Sequence, residues 1–128
     1  MKTILFDKNG GPLVAEVTSG FAQPGSYRLQ LWEKGLNQVV MREQGNFIND
    51  DDDAYALPSP LALNDGRIMQ TFVILTIIDP PKYFVSLKLS QDGQPLGSVD
   101  VPEEGAGETD SHTLFFNLIA TLQARADT

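Results

Sequence analysis

One histidine and no cysteine limit the catalytic chemistry that this sequence could support. His112 follows an Asp-Ser pair, but neighbours in sequence cannot form a catalytic triad, because the triad side chains converge from separate segments. Glu16, Glu33 and Glu43 are candidate acids for glycoside hydrolysis, yet no spacing singles out a pair. We therefore predict no catalytic residue. A hydrolase with Glu33 or His112 in a cleft is the third functional hypothesis.

A consecutive acidic stretch is the best candidate for metal binding. Calcium prefers carboxylate and carbonyl oxygens, and such ligands are concentrated here: Asn49, Asp50, Asp51, Asp52 and Asp53. The stretch is not an EF-hand loop, because Ala54 falls where the turn glycine belongs and Pro60 where the bidentate glutamate belongs. The two interpretations are a calcium site in a loop and a solvated acidic loop.

Trp32 is the most informative single residue for ligand binding. Strict alternation in Tyr27–Glu33 places it on the outward face of a strand, together with Arg28 and Gln30. An outward tryptophan beside polar groups is typical of sugar stacking or of a protein interaction site. Alternatively, the irregular segment that contains Tyr55 covers this face. The predicted ligand-binding residues are therefore Trp32, Arg28, Gln30 and Tyr55.

The charge balance excludes some classes of partner. Seventeen acidic and nine basic residues give a net charge of −8, and such a surface repels the phosphates of nucleic acids. No apolar segment is long enough to span a membrane, and the N-terminus lacks the apolar core of a signal peptide. We expect a cytoplasmic protein that binds another protein or a second copy of itself.

The longest run of strand-forming residues extends from Arg67 to Asp79. Its apolar side chains alternate between two faces, with Val73, Leu75 and Ile77 on one and Phe72, Ile74 and Ile78 on the other. A strand that is apolar on both faces needs cover on both, so we predict a central strand of a sheet. The second face requires another sheet, a helix or a partner; if Phe72 and Ile74 are exposed in the isolated chain, it becomes the best candidate interface.

Turn residues divide the rest of the chain into short strands. Glycines 10 and 11 predict a hairpin between strands at 2–7 and 12–19, and Asp92-Gly93 predicts another between 83–90 and 95–101. Strands at 27–33 and 38–43 are also expected to pair. Segment 112–123 fits both a strand and a helix that Ser111 would cap, and its composition favours the strand.

These elements predict one all-β domain over residues 1–128, an antiparallel β-sandwich of eight or nine strands and of immunoglobulin-like or jelly-roll type. A small β-barrel, with or without a C-terminal helix, is the alternative fold. The predicted function is a non-catalytic, acidic protein-interaction or assembly module without a cofactor. The alternative function is binding of a carbohydrate or of a calcium-dependent ligand.

Overall fold

Alternating apolar and polar residues form short strands throughout the computed structural model, which describes residues 1–21, 23–47, 54–78 and 82–126. One 3-10 turn, Leu61–Asn64, precedes the longest central strand. The strands in chain order are β1 (Lys2–Phe6), β2 (Leu13–Ser19), β3 (Gly25–Trp32), β4 (Val39–Asn46), β5 (Ala54–Ala56), β6 (Ile68–Thr76), β7 (Lys82–Tyr83), β8 (Val85–Gln91), β9 (Gln94–Val101), β10 (Gly107–Glu108) and β11 (Thr113–Ala124).

The strands form two main sheets that enclose one hydrophobic core. The five-stranded sheet has the order β1-β11-β6-β3-β4, and the four-stranded sheet has the order β5-β2-β8-β9. Strands β7 and β10 form a separate two-stranded ribbon. The core contains side chains from both sheets, among them Phe6, Leu29, Leu75, Leu118, Leu13, Val17, Leu87 and Leu89. The predicted all-β sandwich is confirmed.

Strand β6 is central in the five-stranded sheet, as its sequence predicts. It pairs with β11 on one side and with β3 on the other, antiparallel to both. Val73, Leu75 and the following Ile77 are buried in the core. The alternate side chains point to the outside of the sandwich, and this side of the five-stranded sheet is called the outer face below.

The C-terminal segment is a strand and not a helix. Residues 113–124 form β11. Alternation along this strand points Leu118, Ala120 and Leu122 into the core, where they are buried. β11 also pairs in parallel with β1, so that Ile4 lies opposite Leu122. Among the described strands, the predicted antiparallel arrangement therefore has one parallel exception, between β1 and β11.

The predicted hairpin between the first two strands is wrong. Strand β1 belongs to the five-stranded sheet and β2 to the four-stranded sheet, so the glycine-containing turn crosses the sandwich. The buried side chain of Gln91 binds this corner: it accepts from the Asp7 N–H (3.0 Å) and donates to the carbonyls of Asp7 (2.7 Å) and Gly11 (2.9 Å). Because Gln91 supplies these partners, the backbone groups at the corner are hydrogen-bonded without the strand pairing of a hairpin.

The other two predicted hairpins are confirmed. Strand β3 pairs with β4, with a register shift near Trp32, and β8 pairs with β9. The β8–β9 turn places Asp92 and Gly93 at φ values of 53° and 75°. Both values lie in the left-handed region that a two-residue type I′ turn requires, which explains the Asp-Gly pair.

No helix among the described residues is long and apolar enough to cross a membrane.

Removal of the Gln91 side chain should destabilise the corner between β1 and β2. Gln91→Ala leaves backbone groups of Asp7 and Gly11 without their partner, and we expect a loss of about 1–3 kcal/mol in the free energy of unfolding. Urea denaturation measures this loss. Gln123→Ala, at an exposed position of β11, is the matched control and should unfold near the wild-type midpoint. Equal midpoints for both variants would contradict the assigned role of Gln91.

Candidate functional site

Four adjacent strands present their alternate side chains on the outer face of the five-stranded sheet. Cross-strand pairing defines the rows of this face, because directly paired residues project to the same side. The rows, written from β11 through β6 and β3 to β4, are Phe115–Ile74–Ser26–Asn46, Asn117–Phe72–Arg28–Gln44 and Ile119–Gln70–Gln30–Arg42. A fourth row is Thr121–Ile68–Trp32–Val39.

Three neighbouring large apolar side chains of β6 and β11 are open to solvent on this face. Phe72 and Ile74 are each 43% exposed, and Phe115 is 73% exposed. Phe115 lies directly opposite Ile74, and Phe72 is the next outward residue of β6. These three residues are called the apolar patch. Single exposed apolar residues are ordinary, whereas a contiguous group of large ones marks an interaction surface.

The neighbouring part of the outer face is covered and hydrogen-bonded. The indole N–H of Trp32 donates to Gln70 Oε1 (2.9 Å), and the Gln70 amide donates to Asn117 Oδ1 (2.9 Å). Trp32 is half-buried, and Gln30 and Gln70 are buried. Because the Trp32 donor already has a partner, this ring is held in place by the sheet's own side chains.

The structure brings three of the four predicted ligand-binding residues to one face. Arg28, Gln30 and Trp32 are successive outward residues of β3, and Arg28 is exposed. Tyr55 lies elsewhere, on β5 of the four-stranded sheet. Its hydroxyl hydrogen-bonds the Tyr27 hydroxyl across the sandwich, so it joins the two sheets beside the core.

Positive charge is concentrated on the outer face next to the apolar patch. Arg28 lies directly opposite Phe72, and Arg42 is its diagonal neighbour on β4. Within the described part of the chain, neither guanidinium group has a hydrogen-bond or ion-pair partner. By contrast, Arg67 is paired with Glu33 (Nε–Oε1 2.6 Å) and donates to Asn64.

A recess of about 320 Å³ lies where the patch meets Arg28. Ser26 is short and stands between the longer side chains of neighbouring strands, so the surface falls away there. The recess is lined by Ser26, Tyr27, Arg28, Gln44, Gly45, Phe72 and Ile74. Its volume is at the lower end of the range for ligand pockets, and it combines apolar walls with one cationic group.

The candidate catalytic residues do not form a common site. Glu33 pairs with Arg67, and Glu16 lies on β2 of the other sheet, 3.7 Å from the Lys88 ammonium. Glu43 is exposed on β4, and the exposed His112 uses its backbone carbonyl to accept from Ile77.

The calcium hypothesis concerns residues 49–53, which lie outside the described residues. Over the ranges that the structure describes, no group of three or more His, Cys, Asp or Glu side chains could hold a metal ion.

Sequence reasoning missed Phe115 as a member of the site. The alternation in β11 that places Leu114 and Phe116 inward also places Phe115 outward, so the signal was present. What the sequence did not show is that β11 lies beside β6, which brings Phe115 opposite Ile74.

Comparisons of this chain with protein-family models, with curated proteins and with solved structures found no match.

Loss of the Gln70 side-chain amide should release the Trp32 indole N–H. In Gln70→Met, this N–H has no acceptor and Asn117 loses its donor, so we expect faster hydrogen exchange of the indole proton and a loss of about 1 kcal/mol in stability. Two-dimensional NMR of the indole resonance measures the exchange. Gln44→Met, on the same face but at an exposed position, should leave it unchanged; an unchanged indole in Gln70→Met would contradict the hydrogen bond.

Proposed function

We propose that this protein is a non-catalytic interaction module that binds another protein through the apolar patch on the outer face. The single observation that carries the proposal is the exposure of Phe72, Ile74 and Phe115 together, at paired or successive positions of two central strands. A strand that is apolar on both faces is expected to need cover on both. In the described chain one face of β6 is covered by the core, and the other remains open along part of its length.

The free energy available from burying these side chains favours a protein partner. Burial of a large apolar side chain contributes up to about 1.5–3 kcal/mol relative to exposure, and aromatic residues are enriched at the centres of protein interfaces. The sheet holds the patch on rigid strands, so binding does not require the ordering of its backbone. Exposed side chains here add little to the stability of the isolated fold, and their apolar character is best explained by a partner that covers them.

Substitution of the patch should remove binding while leaving the fold intact. The double variant Phe72→Thr, Phe115→Thr keeps strand-forming residues and loses the large apolar surfaces. We expect at least a tenfold reduction in the amount of partner that the immobilised protein captures, with a melting temperature close to that of the wild type.

Leu5→Thr provides the matched control. Leu5 is an exposed apolar residue of β1 and pairs with Gln123, eight positions along β11 from Phe115. At about 3.3 Å per residue, this distance is roughly 26 Å, so Leu5→Thr should retain full capture. The proposal would be contradicted if the double variant still captured the partner. It would also be contradicted if the protein showed no partner and no self-association but turned over a substrate.

A second candidate function is carbohydrate binding, which the polar part of the outer face favours. Trp32, Gln70 and Asn117 form a hydrogen-bonded group next to Arg28, and amide and indole groups on one sheet face suit sugar hydroxyls and rings. On this hypothesis, a glycan array should show a selective response, and sugar should shift the fluorescence of Trp32, the one tryptophan of the chain. A flat array response, together with a melting temperature unchanged by calcium, would remove both this candidate and its calcium-dependent form.

A further inference from the structure

We infer that the partner segment is acidic as well as apolar: an extended stretch of another protein that places an apolar side chain in the recess and carboxylates against Arg28 and Arg42. This inference rests on the proposed function, since it specifies the partner of the same surface. It follows from the distribution of charge around the apolar patch and from the shape of the recess.

The outward positions of the four strands, as far as the structure describes them, are free of carboxylates in an otherwise acidic chain. The chain has 17 acidic and nine basic residues. No outward position of the described strands β11, β6, β3 and β4 holds an acidic side chain, whereas Arg28 and Arg42 both project there. Glu43, between Arg42 and Gln44, has the opposite parity and lies across from Leu29. Over these described positions, the charge is thus opposite in sign to the net charge of the chain.

The two arginines are available to a partner. Neither has a side-chain partner among the described residues, and both are exposed. A guanidinium group can form bidentate hydrogen bonds with a carboxylate, which fix orientation as well as adding attraction. Arg28 lines the recess and stands opposite Phe72, so an apolar side chain seated there brings its neighbouring residues close to the guanidinium.

An extended segment matches the spacing of these features. Neighbouring strands of a sheet lie about 4.8 Å apart, so the row from Phe115 through Ile74 to Ser26 covers roughly 10 Å. In an extended chain, residues two apart are about 6.6–6.8 Å from each other on one side. Two apolar side chains at such a spacing can therefore cover the patch and enter the recess, with acidic residues beside them.

A second copy of this chain fits the face less well. Two-fold pairing of the patch would oppose two surfaces that each have arginines and, among the described strands, no carboxylate. It would also bring together two chains of net charge −8. The attraction would then depend on apolar contact alone, against electrostatic repulsion at low salt.

Three synthetic peptides test the inference on the whole protein. Each has ten residues, with phenylalanine and isoleucine two positions apart, serine at the intervening positions, and glutamate, glutamine or lysine at the flanking positions of the same parity, so that the variable side chains of an extended peptide point to the same side as the apolar ones. Titration into isotopically labelled protein, followed by NMR, gives the binding site and the dissociation constant. We expect the glutamate peptide to shift amides at 26–30, 42–46, 70–74 and 113–117, to bind most tightly and to weaken as salt is raised.

Charge variants of the protein provide the second measurement. Arg28→Gln combined with Arg42→Gln should weaken the glutamate peptide roughly five- to tenfold, as expected for loss of two partly exposed ion pairs. The same variant should leave the glutamine peptide unchanged. Lys34→Gln, which removes an exposed cation from the β3–β4 loop, is the matched control and should bind the glutamate peptide as the wild type does.

Each outcome separates the inference from the proposed function. If all three peptides bind the patch equally and lose that binding in the variant Phe72→Thr, Phe115→Thr, this result overturns the acidic partner but supports an apolar interaction surface. If none of the peptides perturbs the outer face, the acidic partner is also overturned. The capture experiment, which compares the wild type with the double variant, would then test the proposed function alone. If sedimentation shows that the wild type is a dimer and that the double variant is a monomer, the occupant of the patch is a second copy of the chain and not an acidic segment.

Discussion

The structure depends on the burial of β6, a central strand whose residues are apolar on both sides. Its inward side chains, Val73 and Leu75, pack in the core with residues of both sheets, and β11 and β3 satisfy its backbone hydrogen bonds. Because side chains alternate along a strand, the same segment must send Phe72 and Ile74 outward. The fold thus covers one side of β6 completely and leaves the apolar patch on the other side, which connects the architecture to the proposed function.

The outer face combines two environments on one rigid sheet. Near Trp32, the sheet's own side chains form a covered, hydrogen-bonded group with Gln70 and Asn117. Farther along the same strands, the apolar patch and Arg28 are exposed without partners in the described chain. This difference explains why Trp32, which is the conspicuous residue in the sequence, is less available for recognition than the phenylalanines and the arginine beside it.

Local patterns predicted the strands well, because alternation and turn chemistry act over a few residues. The central position of β6, the β8–β9 turn at Asp92-Gly93 and the outward parity of Arg28 and Trp32 all follow from such patterns. The β1–β2 connection was mispredicted because two glycines specify a turn but not the sheet that the next strand joins. The resulting corner is held by Gln91, a residue 84 positions from Asp7, whose hydrogen bonds have no local signature. The full set of residues in the apolar patch was not predicted because it also depends on long-range pairing. Phe115 lies beside Ile74 only because β11 pairs with β6.

The apolar patch is open in the free protein, and the proposed function requires that a partner covers it. Hydroxyl-radical footprinting by mass spectrometry measures this directly on the free monomer and on the complex assembled with its captured partner. Phe72 and Phe115 should be oxidised rapidly in the free protein, unlike the buried Phe6, and should be protected in the complex. Protection of both residues in the free protein, or equal oxidation in the two states, would contradict the proposed function.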